Sequence, residues 1–199
     1  MTPPDTYTFA ATGAAGGAPL PAASPPSVDE AAHIRETLAG NPRAFGVLVQ
    51  IHHRRIYNFL YQLLRHREDA EDLTQQTFLK AFQNLHRFQR ERPLVNWLLT
   101  IARHAAYNHC RDRKRWTELS AEVPAAEPGP ADTAEKTDGT ANLWDRARAR
   151  LTARDFEILW LRFGDGLSID ETAQIVGLTK THVKVIVHRA RKHLLEIAS

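Results

Sequence analysis

Four carboxylates crowd into residues 68–72 of the segment HREDAEDLTQQTF, and no cation follows them before Lys80. The chain as a whole is basic, with a formal net charge of +3 and a pI near 9.2. A basic chain favours a polyanionic partner, most often nucleic acid, whereas clustered carboxylates repel a phosphate backbone. The segment therefore indicates either a contact with protein or a purely structural role.

The acidic segment falls in the first turns of a helix predicted from about Glu68 to Leu85, where the helix dipole favours carboxylates. This structural role accounts for one or two of them. The remaining acidic and amide groups follow at three- and four-residue steps. They form an outward face that suits a basic protein surface, and a solvated face is an equal alternative. The members of this face are Asp69, Glu71, Asp72, Gln75 and Gln76. The apolar positions of the same helix are Ala70, Leu73, Phe78, Leu79 and Phe82.

A second group of side chains places cations beside aromatic rings around a helix predicted from about Leu94 to Lys114. Its end, CRDRKR, has four cations and one anion. Rings that stack on bases, beside cations that hold phosphates, are typical of single-strand binding surfaces. Cations also stabilise any helix C-terminus, and Trp97 falls on the apolar stripe, where core packing is its favoured role. The side chains concerned are Arg87, Phe88, Arg90, Arg92, Trp97, Arg103, Arg111, Arg113, Lys114, Arg115 and Trp116.

The C-terminal part of the chain has the helix start and stop signals of a helix-turn-helix. Thr152 with Asp155, and Ser168 with Glu171, are predicted capping boxes, and Gly177 ends the second of three short helices. The first helix continues through Phe163 and stops at Gly164. Helix, short turn with glycine and basic helix together favour DNA binding in the major groove.

Helical geometry sorts the third helix of this part, KTHVKVIVHRARKHL, into two sides. One line is predicted to be buried, with Ile186 beside it: Val183, Val187, Ala190 and Leu194. The opposite side is predicted to be exposed: Thr181, Val185, His188 and Lys192. The first residues of a recognition helix meet base edges and later cations meet phosphates. The candidates for base contact are Lys180, Thr181, His182, Lys184 and Val185, and the apolar Val185 suits a thymine methyl group.

The elements that must position these groups are helices in two small units. Residues 29–116 and 143–199 show helical periodicity without alternating strands, which predicts an all-α fold of two helical domains. Residues 1–28 are rich in Ala, Pro and Gly and are expected to be disordered, and residues 117–142 are expected to be a flexible acidic linker. In the first unit, helices are also predicted over 29–39 and from Pro42 onward.

Composition excludes several classes of protein. The single cysteine, Cys110, precludes an internal disulfide and fits a reducing cytoplasm. The start of the chain has no signal-peptide pattern, and no apolar run approaches the ~20 residues of a membrane span. The paired histidines, 52–53, and the pair His109-Cys110 diverge on a helix, and no zinc-type spacing occurs, so a metalloenzyme is disfavoured. The sequence predicts no catalytic residue, no metal and no cofactor.

Both units resemble the bacterial RNA polymerase sigma factors, in particular the small extracytoplasmic-function (ECF) group. EDAEDLTQQTFLKAF is similar to the family's polymerase-binding segment, NWLLTIARHAAYNHCRDRKR to its promoter-melting helix, and LTARDFEILWLRFGDGLSIDETAQIVGLTKTHVKVIVHRARKHL to its region 4. The resemblance covers roughly residues 40–116 and 145–195. It is specific because three separated segments occur in order across the predicted linker.

The resemblance implies a role for each surface. The acidic face, together with Phe78, would dock on the clamp helices of the largest polymerase subunit. Region 4 would contact the flap of the second-largest subunit. A loop over about 86–96 would hold an unpaired base of the −10 element, and region 4 would read the −35 element. An anti-sigma factor is a further implied partner. Residues implied at the −10 element are Phe88, Arg90, Trp97, Arg103, His104, Asn108, Arg111, Arg113, Lys114 and Arg115. Residues implied at the −35 element are Lys180, Thr181, His182, Lys184, Val185, His188, Arg189 and Lys192.

The chain departs from the family pattern at several of these positions. The family usually has Asn where this chain has His104, Asp where it has Asn108, and Ser-Arg where it has Val185-Ile186. Gln76 is commonly Glu. These substitutions support a rival interpretation, a sigma-like decoy that binds an anti-sigma factor without engaging a promoter. A stand-alone helix-turn-helix repressor is a third interpretation, which leaves the first unit unexplained.

Overall fold

A computed structural model describes residues 28–89, 91–119 and 139–198, with side chains over 29–89, 91–113 and 143–192. Every regular element in these ranges is helical, which confirms the all-α fold. The expected N-terminal extension, apart from Val28, and most of the expected linker lie outside these ranges. None of the described helices is long and apolar enough to cross a bilayer.

The first unit contains four helices, as the sequence predicts. They are α1 (Val28–Leu38), α2 (Pro42–Leu64), α3 (Arg67–Asn84) and α4 (Leu94–Leu119), with a single 3-10 turn at Leu85–Arg87 after α3. The last helix is five residues longer than predicted.

Local chemistry fixes where these helices begin and end. The Asn41 side chain accepts a hydrogen bond from the backbone N–H of Arg43, and Pro42 occupies the first position of α2. The backbone of Arg65 turns into the left-handed region, with φ 54°, and ends α2. His66 then caps α3 by accepting a hydrogen bond from the N–H of Asp69. The chain thus reverses within two residues, so α3 packs antiparallel along α2.

The core of the first unit lies where α2, α3 and α4 meet. Phe59, Leu60 and Leu99 are completely buried there. Ile34 of α1, which packs on α2, is 2% exposed and belongs to the same apolar cluster. Burial of about 2 kcal/mol per large apolar side chain makes these residues the main source of the unit's stability.

The second unit contains α5 (Gly139–Arg150), α6 (Ala153–Leu159), α7 (Ile169–Val176) and α8 (Lys180–Ala198). The Ser168–Glu171 capping box is confirmed in both directions. Thr152 caps α6 by accepting from the N–H of Asp155, although the reciprocal bond predicted for that box does not occur among the bonds of the described residues. Gly177 has φ 68° and makes the turn between α7 and α8.

The predicted helix through Phe163 is confirmed and ends at Gly164, but its last turn, Trp160–Gly164, has the wider π geometry. The indole ring of Trp160 lies against Gly164, where a Cβ would fall 2.7 Å from Trp160 Cδ2. The same ring packs edge-on against Trp144 of α5, with 4.9 Å between ring centroids. The absence of a side chain at position 164 therefore gives the ring its space.

The two units contact each other directly. α4 packs on α7, and buried residues of both units, such as Leu98 and Ile175, form one continuous apolar cluster. Composition marks two units but gives no sign of this contact.

Candidate protein and nucleic-acid interfaces

One exposed stripe runs along α3. Asp72, Gln75 and Gln76 are exposed, as predicted for the acidic face. Leu79 follows them at the next helical step with 58% exposure, and Phe82 lies at the edge of the stripe with 43%. Two of the five apolar positions of this helix, Leu79 and Phe82, are therefore exposed, unlike Ala70, Leu73 and Phe78. We call this surface, Asp72, Gln75, Gln76, Leu79 and Phe82, the α3 stripe.

Three other residues predicted for this face do not lie on the stripe. The Asp69 carboxylate turns toward α4 and lies 3.2 Å from His109 Nε2 and 3.8 Å from Arg113 Nη1. Phe78 is 6% exposed, and its ring stacks on His53 with 6.3 Å between centroids. Glu71 is exposed at the side of the helix and accepts a hydrogen bond of 3.1 Å from Arg67. Asp69 therefore faces α4 and Phe78 faces α2, and neither belongs to the exposed stripe.

On the cationic side of α4, most of the described candidate side chains are exposed, but one is held in an ion pair with the second unit. His104, Asn108, Arg111 and Arg113 are exposed. The Arg103 guanidinium instead donates from Nε to Glu157 of the second unit at 2.7 Å. Of the remaining candidates, Arg90 and the side chains of Lys114 and Arg115 lie outside the described residues.

The structure corrects the expectation that Phe88 presents its ring to a base. Phe88 is 9% exposed and packs on Trp97 with 5.4 Å between centroids. The 3-10 turn before it directs the ring inward, where it closes the core beside Leu85. Trp97 is half-buried, which agrees with its place on the apolar stripe.

An open groove of about 270 Å³ lies between the end of α3 and the middle of α4. Two cations, one indole ring and one imidazole reach it together. The residues that line it are Lys80, Asn84, Arg87, Trp97, Ile101 and His104. The sequence indicated Arg87, Trp97 and His104, but it missed Lys80 and Asn84 because they belong to a different helix, α3.

The eight candidate residues of the third predicted helix in the second unit all lie exposed on α8. Val183, Val187 and Ala190 are buried on the opposite side, as predicted, and Ile186 is also buried, at 5% exposed. Val185 is 46% exposed. The Lys180 Nζ reaches back to Asp170 at 2.6 Å, which ties the start of α8 to α7. The orientation of this helix therefore matches the prediction from its sequence.

A buried polar cluster joins the two units and was not anticipated. Glu157 of α6 is completely buried and accepts from Arg103 at 2.7 Å and from the Tyr107 hydroxyl at 2.8 Å. Burial raises the pKa of Glu157, while Arg103 opposes the rise. Burial likewise raises the pKa of the Tyr107 hydroxyl.

A second buried carboxylate, Asp165, lies in the turn between α6 and α7 with 1% exposure. Arg55 of α2 donates to its backbone carbonyl at 2.8 Å and approaches its carboxylate at 3.4 Å. Burial raises the pKa of Asp165 to about 6, and the charge of Arg55 limits the rise. Nearby, Asn96 Nδ2 donates to Glu171 at 2.9 Å, which lowers the pKa of Glu171 against the effect of burial.

The carboxyl group of Asp165 is expected to titrate near pH 6 instead of near its ordinary value of 3.8. Since the pKa is higher in the folded than in the unfolded state, the stabilising contribution of this group is complete below pH 3.8. It is lost as the pH rises through about 6. Carboxyl-carbon NMR titration measures the midpoint directly. The Arg55→Gln variant should move the midpoint upward, and a downward or absent movement would contradict the pairing.

Comparison with known proteins gives matches in both units. The family model "Sigma-70 region 2" matches residues 48–116, and "Sigma-70, region 4" matches residues 142–194. The ECF RNA polymerase sigma factor BldN of Streptomyces coelicolor is 30% identical over 182 residues, which cover 89% of this chain and 69% of BldN. RNA polymerase sigma factor YlaC of Bacillus subtilis is 31% identical over 151 residues, 74% of this chain and 87% of YlaC.

Solved structures agree with these matches. The sigma factor RpoE of Bartonella quintana, in complex with the anti-sigma factor NepR, superimposes with a TM-score of 0.66 and 28% identity over 77% of this chain and 96% of RpoE. CnrH, in complex with the cytosolic domain of CnrY, has a TM-score of 0.62 and 24% identity over 85% of this chain and 97% of CnrH. The latter likeness concerns the fold alone.

Proposed function

The chain belongs to the ECF group of RNA polymerase sigma factors, and from this premise we propose which of its surfaces bind polymerase and which bind promoter DNA. As a member of this group it binds core RNA polymerase and directs transcription initiation at specific promoters through −10 and −35 elements. The proposals below assign residues to these contacts.

The α3 stripe is the proposed contact with core polymerase. It combines a carboxylate, two amides and two exposed apolar side chains on one side of a helix. Exposed apolar residues beside charged ones are typical of protein interfaces and poorly suited to DNA. The partner surface is the clamp helices of the largest subunit, as the resemblance implies. This single observation, an acidic and apolar stripe on an otherwise basic unit, carries the proposal.

The groove between α3 and α4 is the proposed site for an unpaired base of the −10 element. Lys80 and Arg87 supply positive charge for phosphates, and the Trp97 ring supplies a stacking surface beside His104. Stacking of a base on an aromatic ring contributes about 1–3 kcal/mol and tolerates different bases. His104 lines this groove where the family usually has Asn, and it is the proposed determinant of which base is preferred.

Helix α8 is the proposed reader of the −35 element. Its first turns present Lys180, Thr181, His182 and Lys184, and its later turns present Arg189 and Lys192 among the exposed residues. The polar residues at the start of the helix suit contacts with base edges, and the cations that follow suit contacts with phosphates. The flap of the second-largest polymerase subunit is proposed to hold this unit in place. An anti-sigma factor is a proposed further partner, because RpoE, which is similar over most of this chain, is bound by one.

Val185 and Lys192 are expected to act differently on −35 binding. The Val185→Ser variant should change preference at one base position by ~1 kcal/mol or less, because an apolar contact with a thymine methyl is lost. The Lys192→Ala variant should weaken binding to all sequences alike and reduce the salt dependence by about one phosphate contact. Binding of the full chain to a randomised −35 library at two salt concentrations measures both. If the base preference changes with Lys192→Ala but not with Val185→Ser, the proposed orientation of α8 on the DNA is wrong.

Transcription in vitro tests the assignment as a whole. Core polymerase is mixed with the full chain and a library of promoters, and the transcripts are sequenced. We expect specific start sites that depend on this chain. A chain that binds core polymerase but starts no transcript, while it binds an anti-sigma factor, would instead support the decoy interpretation.

A further inference from the structure

We propose that Asp69 is a positioning residue for promoter DNA and not a contact with polymerase. The resemblance places Asp69 in the polymerase-binding segment, but its carboxylate faces His109 and Arg113 at the cationic end of α4. We call these three residues the α4 anchor. The anchor follows from contacts within the first unit, whereas its effect on promoter DNA rests on the proposed function.

The groups of the α4 anchor converge on one carboxylate oxygen. Asp69 Oδ2 lies 3.2 Å from His109 Nε2 and 3.8 Å from Arg113 Nη1. His109 and Arg113 are four residues apart, so both side chains leave α4 on the same side. His66 Nδ1 also lies 3.4 Å from this oxygen, but it accepts a hydrogen bond from the backbone N–H of Asp69 and so has no proton to donate there. The described cationic partners of the carboxylate therefore come from α4.

Asp69 is held firmly in place, which suits a positioning role. It is the third residue of α3, and its backbone N–H donates to the capping side chain of His66. The helix dipole favours a carboxylate in this first turn. The side chain of Asp69 is only 23% exposed, whereas Asp72, one turn later, is exposed. A carboxylate that is mostly covered and already faces cations offers little charge to a basic polymerase surface.

The end of α4 needs such a contact because the apolar core stops short of it. Ala105 and Ala106 are the last buried residues among the described side chains of α4, which continue to Arg113. The helix itself continues to Leu119. The end of a helix frays where no packing holds it. Polar contacts therefore decide how firmly this part of α4 is held.

The α4 anchor continues a line of buried residues. Leu98, Ala102 and Ala105 are buried at steps of four and three residues along α4, and His109 and Arg113 follow at steps of four. Residues at these steps lie on one face of a helix. The anchor therefore keeps this face against α3 beyond the point where apolar packing ends.

The same contact sets the direction of the residues that are candidates for DNA binding. Since α-helices have about 3.6 residues per turn, His104 and Arg111 fall on roughly the opposite side of α4 from His109 and Arg113. Both His104 and Arg111 are exposed. Fixing the anchored side against α3 therefore fixes where the exposed side points. Arg113, which the resemblance implies at the −10 element, belongs to the anchored side.

Hydrogen exchange of the free full-length chain tests the anchor without DNA. Asp69→Asn keeps the size of the side chain and removes its charge. Because an ion pair at a partly exposed site is weak, we expect the backbone amides of residues 107–113 to exchange about threefold faster in this variant. His109→Gln should give a similar rise from the other helix. Unchanged exchange at these amides in Asp69→Asn overturns the anchor.

Asp72→Asn provides the matched control, because it removes the same charge from an exposed position on the same helix. It should leave the exchange of residues 107–113 unchanged. An equal rise in Asp69→Asn and Asp72→Asn also overturns the anchor, since loss of charge anywhere on α3 would then have the same effect.

Two binding measurements then separate a role in positioning from a role in polymerase binding. In competition binding, Asp69→Asn should bind core polymerase with the affinity of the parent protein, whereas Asp72→Asn should bind more weakly. Each variant is next added to core polymerase at saturation, on a promoter that the parent protein transcribes. The lifetime of the promoter complex should fall about threefold to tenfold with Asp69→Asn and stay unchanged with Asp72→Asn, since only the former loosens the DNA-facing helix.

The opposite results are equally informative. Weaker core binding with an unchanged promoter lifetime for Asp69→Asn would return this residue to the polymerase contact and overturn the proposal. A longer lifetime also overturns it, because the carboxylate would then compete with DNA phosphates for the cations of α4. A parent protein that starts no transcript counts against the proposed function, and hydrogen exchange still decides the anchor.

Discussion

The Asp72→Arg variant is expected to remain folded and to bind core RNA polymerase at least about tenfold more weakly than the parent protein. A charge at an interface repels the partner surface when its sign is reversed. Asp72 is exposed in the middle of the α3 stripe, so the substitution removes no buried contact. Competition binding against a labelled sigma factor measures the dissociation constant.

Asp29→Arg provides a matched control for this charge reversal. Asp29 is also an exposed aspartate, but it lies in the first turn of α1, outside the stripe. It should leave the affinity for core polymerase unchanged. Equal affinity of the folded Asp72→Arg variant and the parent protein would refute the assignment of the α3 stripe.

The Phe59→Ala variant is expected to lower the free energy of unfolding by about 3–5 kcal/mol, the cost of a large cavity in a closely packed core. Phe59 is completely buried on α2, at the meeting of α2, α3 and α4. Since small domains are stable by only about 5–15 kcal/mol, the variant should populate the unfolded state at moderate temperature. Urea unfolding followed by circular dichroism measures the change.

Phe82→Ala removes the same side chain from a site that is 43% exposed. Its loss should be less than half that of Phe59→Ala, because part of the ring is hydrated in the folded protein. The Phe82 ring does contact Phe45 edge-on, at 5.1 Å between centroids, so some loss remains. Equal losses for the two variants would show that the unit's stability does not come from the core described above.

The helices of both units could be predicted because their signals are local. Asn41-Pro42, Ser168 to Glu171 and Gly177 act within four residues of themselves, and the structure shows each at a helix end. The buried side of α8 was predictable for the same reason, since its apolar residues repeat with the helical period.

The face of α3 was only partly predictable. Leu79 and Phe82 follow the buried Phe78 closely enough to be read as one apolar stripe, yet they turn outward. Which side of a helix is covered depends on its neighbours, here α2 and α4, and these contacts span the sequence. Asp69 is the opposite case, a residue predicted to be exposed that is not. Its carboxylate pairs with His109 and Arg113 of α4 and so lies between the two helices.

The contact between the units could not be predicted at all. Glu157 and Asp165 look like ordinary surface charges, since acidic residues are rarely buried unless paired. Their partners lie 54 and 110 residues away in the sequence. No local pattern encodes a pairing over that separation, and only the packed structure places the groups together.

The close approach of Trp160 to Gly164 affects how a saturation mutagenesis screen for transcription would be interpreted. Any side chain at position 164 would meet the indole ring, whose retreat is blocked by Trp144. Such a screen would therefore mark position 164 as intolerant, in the same way as positions on α8 that touch DNA. A parallel readout of protein abundance separates the two classes, because substitutions at Gly164 deplete the protein itself while substitutions at exposed α8 positions leave its amount unchanged.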